Sequence, residues 1–157
     1  MDSTELLKAY ASGPDRLERA LEGLSPDVLG RRPPYEGAWT IKEHVIHLAD
    51  SEVNNFIRLK SIVAQPRSDC YVMQEEDWTR NIARKDEDMG KYLRLFRIVR
   101  EIAADFAAGE IDSNQDWFVR TYKGETRRIG MREDLELYTR HLDFHLEYIE
   151  RIKAGRA

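Results

Sequence analysis

Cysteine is nearly absent, with Cys70 the only one in 157 residues. One thiol closes no internal disulfide and builds no all-thiolate metal site. Long apolar runs are missing too, and the opening MDSTELLKAY has neither a basic segment nor a hydrophobic one. No membrane span or secretory leader is expected, and a reducing cytoplasm is the expected compartment. Charge of one sign is not in excess either: 25 Lys and Arg against 29 Asp and Glu leave a net charge of −4, mixed along the chain. Neither a nucleic-acid groove nor an anionic membrane partner follows from that balance. Repeats, low-complexity tracts and interdomain linkers are lacking, so residues 1–157 are read as one domain.

What the sequence does contain is helical period. A first segment over 3–24 carries Leu6, Leu7, Tyr10, Leu17, Ala20, Leu21 and Leu24, with Gly13-Pro14 breaking or restarting it. Ser25-Pro26 opens a short helix that Pro33-Pro34 ends. The second long helix, 40–65, starts at a capping box of Thr40 and Glu43 and stops before Pro66. A third, 86–108, turns Met89, Tyr92, Leu93, Phe96, Val99, Ala103 and Phe106 to one side, and a fourth covers 131–153. WFVRTYKGETRRIG holds the one plausible hairpin, with Lys123-Gly124 at its turn. The expected fold is all-α: an antiparallel four-helix bundle with a long connection, containing at most that hairpin, before the last helix.

The stretch RHLDFHLEYI places His141 and His145 four residues apart. At about 100° per residue both fall inside the apolar arc of Leu137, Tyr138, Phe144, Tyr148, Ile149 and Ile152. Each buried ring needs a partner for its nitrogens, since an orphaned buried polar group costs about 1–3 kcal/mol. A shared cation satisfies two rings at once, but needs a third ligand. On the second helix Glu43, His47, Ser51, Asn54 and Arg58 form one strip, read as lining an internal cavity, opposite Lys42, Glu52 and Lys60, read as the solvent face. His47 is the candidate third ligand, while His44, about 60° around the helix, is read as a surface or packing residue. Spacing alone leaves a metal site and a pair of satisfied core histidines in balance. Asn54 and Arg58 continue the His47 strip, where Arg58 is placed to clamp a carboxylate of a cofactor or substrate, or to pair with a neighbouring helix. Glu43 and Asp50 are weighed as partners that orient a ligand ring, although capping already explains Glu43. Cys70 has no nearby histidine or basic residue in sequence to activate it.

EGAWTIKEHVIHLADSEVNNFIRLK, together with the H-x-x-x-H of the last helix, resembles the DinB/YfiT-like superfamily of metalloenzymes, most closely its bacillithiol S-transferase-like branch. The likeness spans nearly the whole chain and implies a four-helix bundle. It also implies one divalent ion, zinc or nickel, on His47, His141 and His145. In RSDCYVMQEEDW the chain departs from the Pro-Tyr-Asp pattern of that branch, so no substrate contact is carried over from this loop. The implied activity is transfer of a low-molecular-weight thiol, such as bacillithiol or mycothiol, onto a small electrophile. Metal-dependent hydrolysis, or a non-catalytic module that uses metal for stability, is the alternative. The resemblance and the many-sided apolar surface of the second helix together imply a homodimer.

Overall fold

Asp2 opens the first helix through a reciprocal cap: its side chain accepts from the Glu5 N–H, and the Glu5 carboxylate accepts from the Asp2 N–H. The computed structural model describes residues 1–82 and 86–156. Helix α1 (Ser3–Ala11) breaks at Ser12 and restarts as α2 (Gly13–Leu21), with Pro14 in its first turn. The short α3 (Pro26–Leu29) follows, and α4 (Ile41–Ala64) begins at the expected Thr40–Glu43 capping box. Next come α5 (Glu75–Asn81), α6 (Met89–Glu110), β1 (Trp117–Tyr122), β2 (Glu125–Gly130) and α7 (Met131–Lys153).

The two strands form an antiparallel hairpin whose last pair is Tyr122 with Glu125. Lys123 and Gly124 make the turn at φ 49° and 83°, the left-handed pair that a two-residue hairpin of matching twist requires. The segment after α4 pairs with β1, Cys70 N–H donating to the Val119 carbonyl at 2.8 Å and Val119 N–H to that of Ser68 at 2.8 Å. The molecule is therefore mostly helical, not strictly all-α. The hairpin at WFVRTYKGETRRIG is real and anchors a loop beside the site described below.

Two apolar clusters fill the bundle. One contains Leu6 and Tyr10 of α1, Leu59 and Ile62 of α4, Ala103 and Ala107 of α6, and Met131 and Leu135 of α7, closed by Phe118 and Ile129 of the hairpin. The other holds Leu17 and Leu21 of α2, Ile41, Val45 and Leu48 of α4, Phe96 of α6, and Leu142, Ile149 and Ile152 of α7. This membership fixes direction: α4 and α6 run from the second cluster to the first, whereas the α1/α2 leg and α7 run the other way. The expected antiparallel order is corrected accordingly, because α4 and α6 pack against each other in parallel. Parallel neighbours need a long return, so the α4-to-α6 connection is a long crossover in its own right and carries α5.

Between the clusters the four legs meet at charged groups. Arg100, 1% exposed, lies over the Tyr10 ring at 4.2 Å, donates to the Tyr138 carbonyl at 2.9 Å and sits 3.8 Å from the Glu52 carboxylate. Glu52, 2% exposed, accepts from the Tyr10 hydroxyl and from Asn55 at 3.3 Å. Glu52 was expected on the solvent face of its helix; the Arg100 guanidinium from α6 is what allows it to be buried. Gly13 makes room for that guanidinium, since a Cβ there would lie 2.5 Å from Arg100 Nη1. Among the described residues, no helix is long and apolar enough to cross a membrane.

Candidate metal centre

The capping box aims α4 across α7. Glu43 N–H donates to Thr40 Oγ1 at 3.1 Å, Thr40 N–H donates back to the Glu43 carboxylate at 2.7 Å, and Arg32 holds the free carboxylate oxygen at 2.5 Å. Trp39, just before the cap, is thereby laid over three imidazoles, with ring centroids 5.0 Å from His47, 5.3 Å from His44 and 6.0 Å from His145. His141 and His145, one turn apart on α7, meet edge to face at 4.5 Å.

Three Nε2 atoms converge. His47 and His141 are 3.1 Å apart at Nε2, and His141 and His145 are 3.0 Å apart. Nitrogens of a tetrahedral zinc site, each about 2.0–2.1 Å from the ion, stand roughly 3.3 Å from one another. Burial holds the rings neutral at physiological pH, lowering His47 to about 3 and His141 to about 4, and pushing His145 lower still. Three neutral nitrogens facing one point are a donor set that could hold one divalent ion.

His44 is not on the surface. It is 5% exposed, and its Nδ1 lies 2.8 Å from His145 Nδ1. When His145 turns its Nε2 lone pair toward the cluster, its proton sits on Nδ1 and is donated to His44 Nδ1, leaving the His44 proton on Nε2. His44 thus fixes both tautomer and orientation in His145. Its sequence signal is its place on the capped first turn of α4, three residues before His47. Of the other weighed orienting groups, Glu43 is occupied by the cap and Arg32. Asp50 is raised to about 6 by burial and by Glu87, away from the rings.

Two hollows open from the centre. The outer one, about 1030 Å³, is walled by Trp39, Phe144 and Tyr148 and reaches His44, His141 and His145. The inner one, about 260 Å³, is bounded by His47 and His141 and contains both Asn54 and Arg58. Arg58 donates to the Tyr138 hydroxyl at 3.0 Å and to the Tyr71 carbonyl at 2.7 Å. Asp134 and Arg120 also line it, and sequence reasoning missed both. Their signals were periodic: Asp134 lies two turns before His141 on the same stripe, and Arg120 shares a strand face with buried Phe118. Cys70 is half-buried with its thiol pushed up by that burial, which leaves it a poor nucleophile.

Residues 9–149 match the family model of the DinB superfamily. A protein of Bacillus subtilis (strain 168), YfiT, named as a proposed metal-dependent hydrolase, is 28% identical over 138 residues, covering 87% of this chain and 75% of its own length. A similarly named protein of Geobacillus thermodenitrificans (strain NG80-2) is 32% identical over 79 residues, 50% of this chain. That match spans 44% of the Geobacillus protein, less than half its length. The solved structure of YfiT, described as an unusual four-helix bundle, superposes with a TM-score of 0.87 at 22% identity, over 100% of this chain and 91% of that one. With its family model matched over nearly its full length and its fold shared with YfiT, the chain belongs to the DinB superfamily.

Proposed function

We propose that the chain is a divalent-metal-dependent transferase in which His47, His141 and His145 hold zinc or nickel and a low-molecular-weight thiol of the bacillithiol type is joined to a small electrophile. The observation that carries this reading is the pair of hollows meeting at the histidine cluster: two compartments suit two reactants. The bound ion would act as a Lewis acid, favouring the deprotonated form of a thiol, or of water, at neutral pH. The chain's own contribution is placement. Asn54 and Arg58 hold the polar end of the thiol cofactor in the inner hollow, while Trp39, Phe144 and Tyr148 give the electrophile an aromatic wall in the outer one. In the transfer the thiol proton passes to solvent water, the thiolate sulfur forms a bond to carbon as the carbon–leaving-group bond breaks, and the leaving group takes that electron pair and departs through the wider outer hollow. Zinc and nickel both suit imidazole donors.

The names of the relatives favour a second reading, hydrolysis at the same centre. One panel separates the two. Metal-reconstituted protein is given bacillithiol, mycothiol, glutathione or cysteine with a generic electrophile, and ester and amide substrates without thiol. Thiol-dependent product that is lost in His141→Ala supports transfer. Thiol-independent cleavage lost in the same variant supports hydrolysis, and metal-dependent stability with no turnover supports a non-catalytic module.

Replacing His44 tests the support of the centre. His44→Leu is expected to weaken metal binding on the order of 10- to 100-fold, the usual cost of losing the partner of a ligand ring, with the stoichiometry unchanged. Competition with a chromogenic chelator measures it, and unchanged affinity would remove His44 from the account.

A cytoplasmic homodimer is the proposed working form. Leu95, Ile98 and Ile102 expose 36%, 50% and 45% of their surfaces at helical spacing along α6, an apolar stripe suited to a second copy. Light scattering is expected to give twice the chain mass for the wild type and a monomer for Ile98→Glu. A monomeric wild type at micromolar concentration contradicts the dimer.

A further inference from the structure

The inner hollow contains more hydrogen-bonding capacity than the protein satisfies. Asn54 Nδ2, Arg58 Nε and Arg120 Nε are buried donors without a partner among the described residues, and Asp134 Oδ2 is a buried acceptor without one. Asn54 is 9% exposed, Arg58 6% and Asp134 1%, and all of them line a cavity of about 260 Å³. Each orphan costs about 1–3 kcal/mol, so four around one cavity point to something that the cavity is built to receive. Two guanidiniums and an amide in one lining ask for an anion with several acceptor sites; a carboxylate has them and an alcohol or thioether does not. The single orphan acceptor asks for one N–H or O–H next to it. At about 260 Å³ the hollow suits a small organic acid or the terminal group of a larger molecule.

We propose that the inner hollow recognises the carboxylate of a small organic acid, held by Asn54, Arg58 and Arg120, with Asp134 accepting from a hydroxyl or amino group on the neighbouring carbon. The substrate class is thus an α-hydroxy or α-amino carboxylate, free or as the terminal group of a larger molecule whose remainder passes His47 and His141 toward the outer hollow. In the thiol reading, on which this step builds, the acid end anchors the cofactor while its sulfur lies at the histidine cluster. A cofactor without a carboxylate would leave Asp134 as the one carboxylate facing the two guanidiniums, so the hollow selects among cellular thiols as well as binding them.

The test is calorimetric titration of the metal-loaded protein with two matched pairs. 3-Mercaptopropionate is compared with its amide, and L-lactate with lactamide; each pair differs only in the carboxylate. In both pairs the acid is expected to bind 10- to 100-fold tighter, the effect of one or two charge-assisted hydrogen bonds. Arg58→Gln is expected to remove most of that preference, and Arg120→Gln to remove part of it. The wild-type comparison decides the matter even if one variant fails to fold. A preference confined to lactate, with neither thiol binding, supports the acid pocket and defeats the thiol reading. Thiol acid and thiol amide binding equally well, or no acid preference in either pair, overturns the pocket and leaves thiol binding to stand or fall by itself.

Discussion

Arg100→Met is expected to lower stability by about 3–5 kcal/mol, the cost of breaking a buried ion pair by removing one partner. Three losses fall together. Glu52 is left charged at 2% exposure with only the Tyr10 hydroxyl and Asn55 beside it. The Tyr138 carbonyl loses its 2.9 Å donor one turn before His141, and the Tyr10 and Phe96 rings lose the cation stacked at 4.2 and 5.1 Å. For a chain of this length the loss corresponds to a fall of roughly 10 °C in Tm. The double variant Glu52→Leu, Arg100→Met is expected to recover part of the loss, because no charge then remains in the apolar interior. Chemical denaturation of the four proteins checks this. Equal additive losses from the two single changes would show that the groups do not act as a pair.

His141→Ala is expected to abolish specific metal binding, weakening it by well over the roughly 100-fold that loss of a mere supporting partner brings. His141 is the ring that links the cluster, with its Nε2 3.1 Å from that of His47 and 3.0 Å from that of His145. Without it the other two are a two-point site, and two imidazoles rarely hold zinc alone. The effect is visible as stability too: an ion at 100 times its Kd contributes about 2.7 kcal/mol to the wild type, a rise of several degrees in Tm that His141→Ala should lack. Without metal the substitution also removes the Nε2 contacts that His47 and His145 make with His141, so the metal-induced rise is read for each protein against its own metal-free Tm. A variant that kept the full metal-induced shift would exclude His141 as a ligand.

Local rules made much of this legible. The Thr40–Glu43 box set the start of α4, and apolar period placed α7 at Met131–Lys153, which fixed the phase of His47 against His141 and His145. Gly124 marked the hairpin because glycine accepts the left-handed conformation that a two-residue turn requires. What was hidden depends on partners distant in sequence. Glu52 looks like a solvent residue until Arg100 is brought against it from α6. His44 looks peripheral by angle alone, because burial on α4 is decided by α7 and the Trp39 ring, which cover more than one narrow strip. The parallel pairing of α4 and α6 follows from the crossover that contains α5, whose seven residues are too few to show period.

X-ray absorption spectroscopy of the zinc-loaded protein at one ion per chain tests the centre most directly. The arrangement predicts three imidazole nitrogens at about 2.0–2.1 Å and one or two exchangeable oxygen ligands, with a sulfur shell at about 2.3 Å appearing on addition of 3-mercaptopropionate. A four-imidazole shell, which would bring His44 into the coordination sphere, a shell of two or fewer, or a site that takes up no sulfur would contradict it.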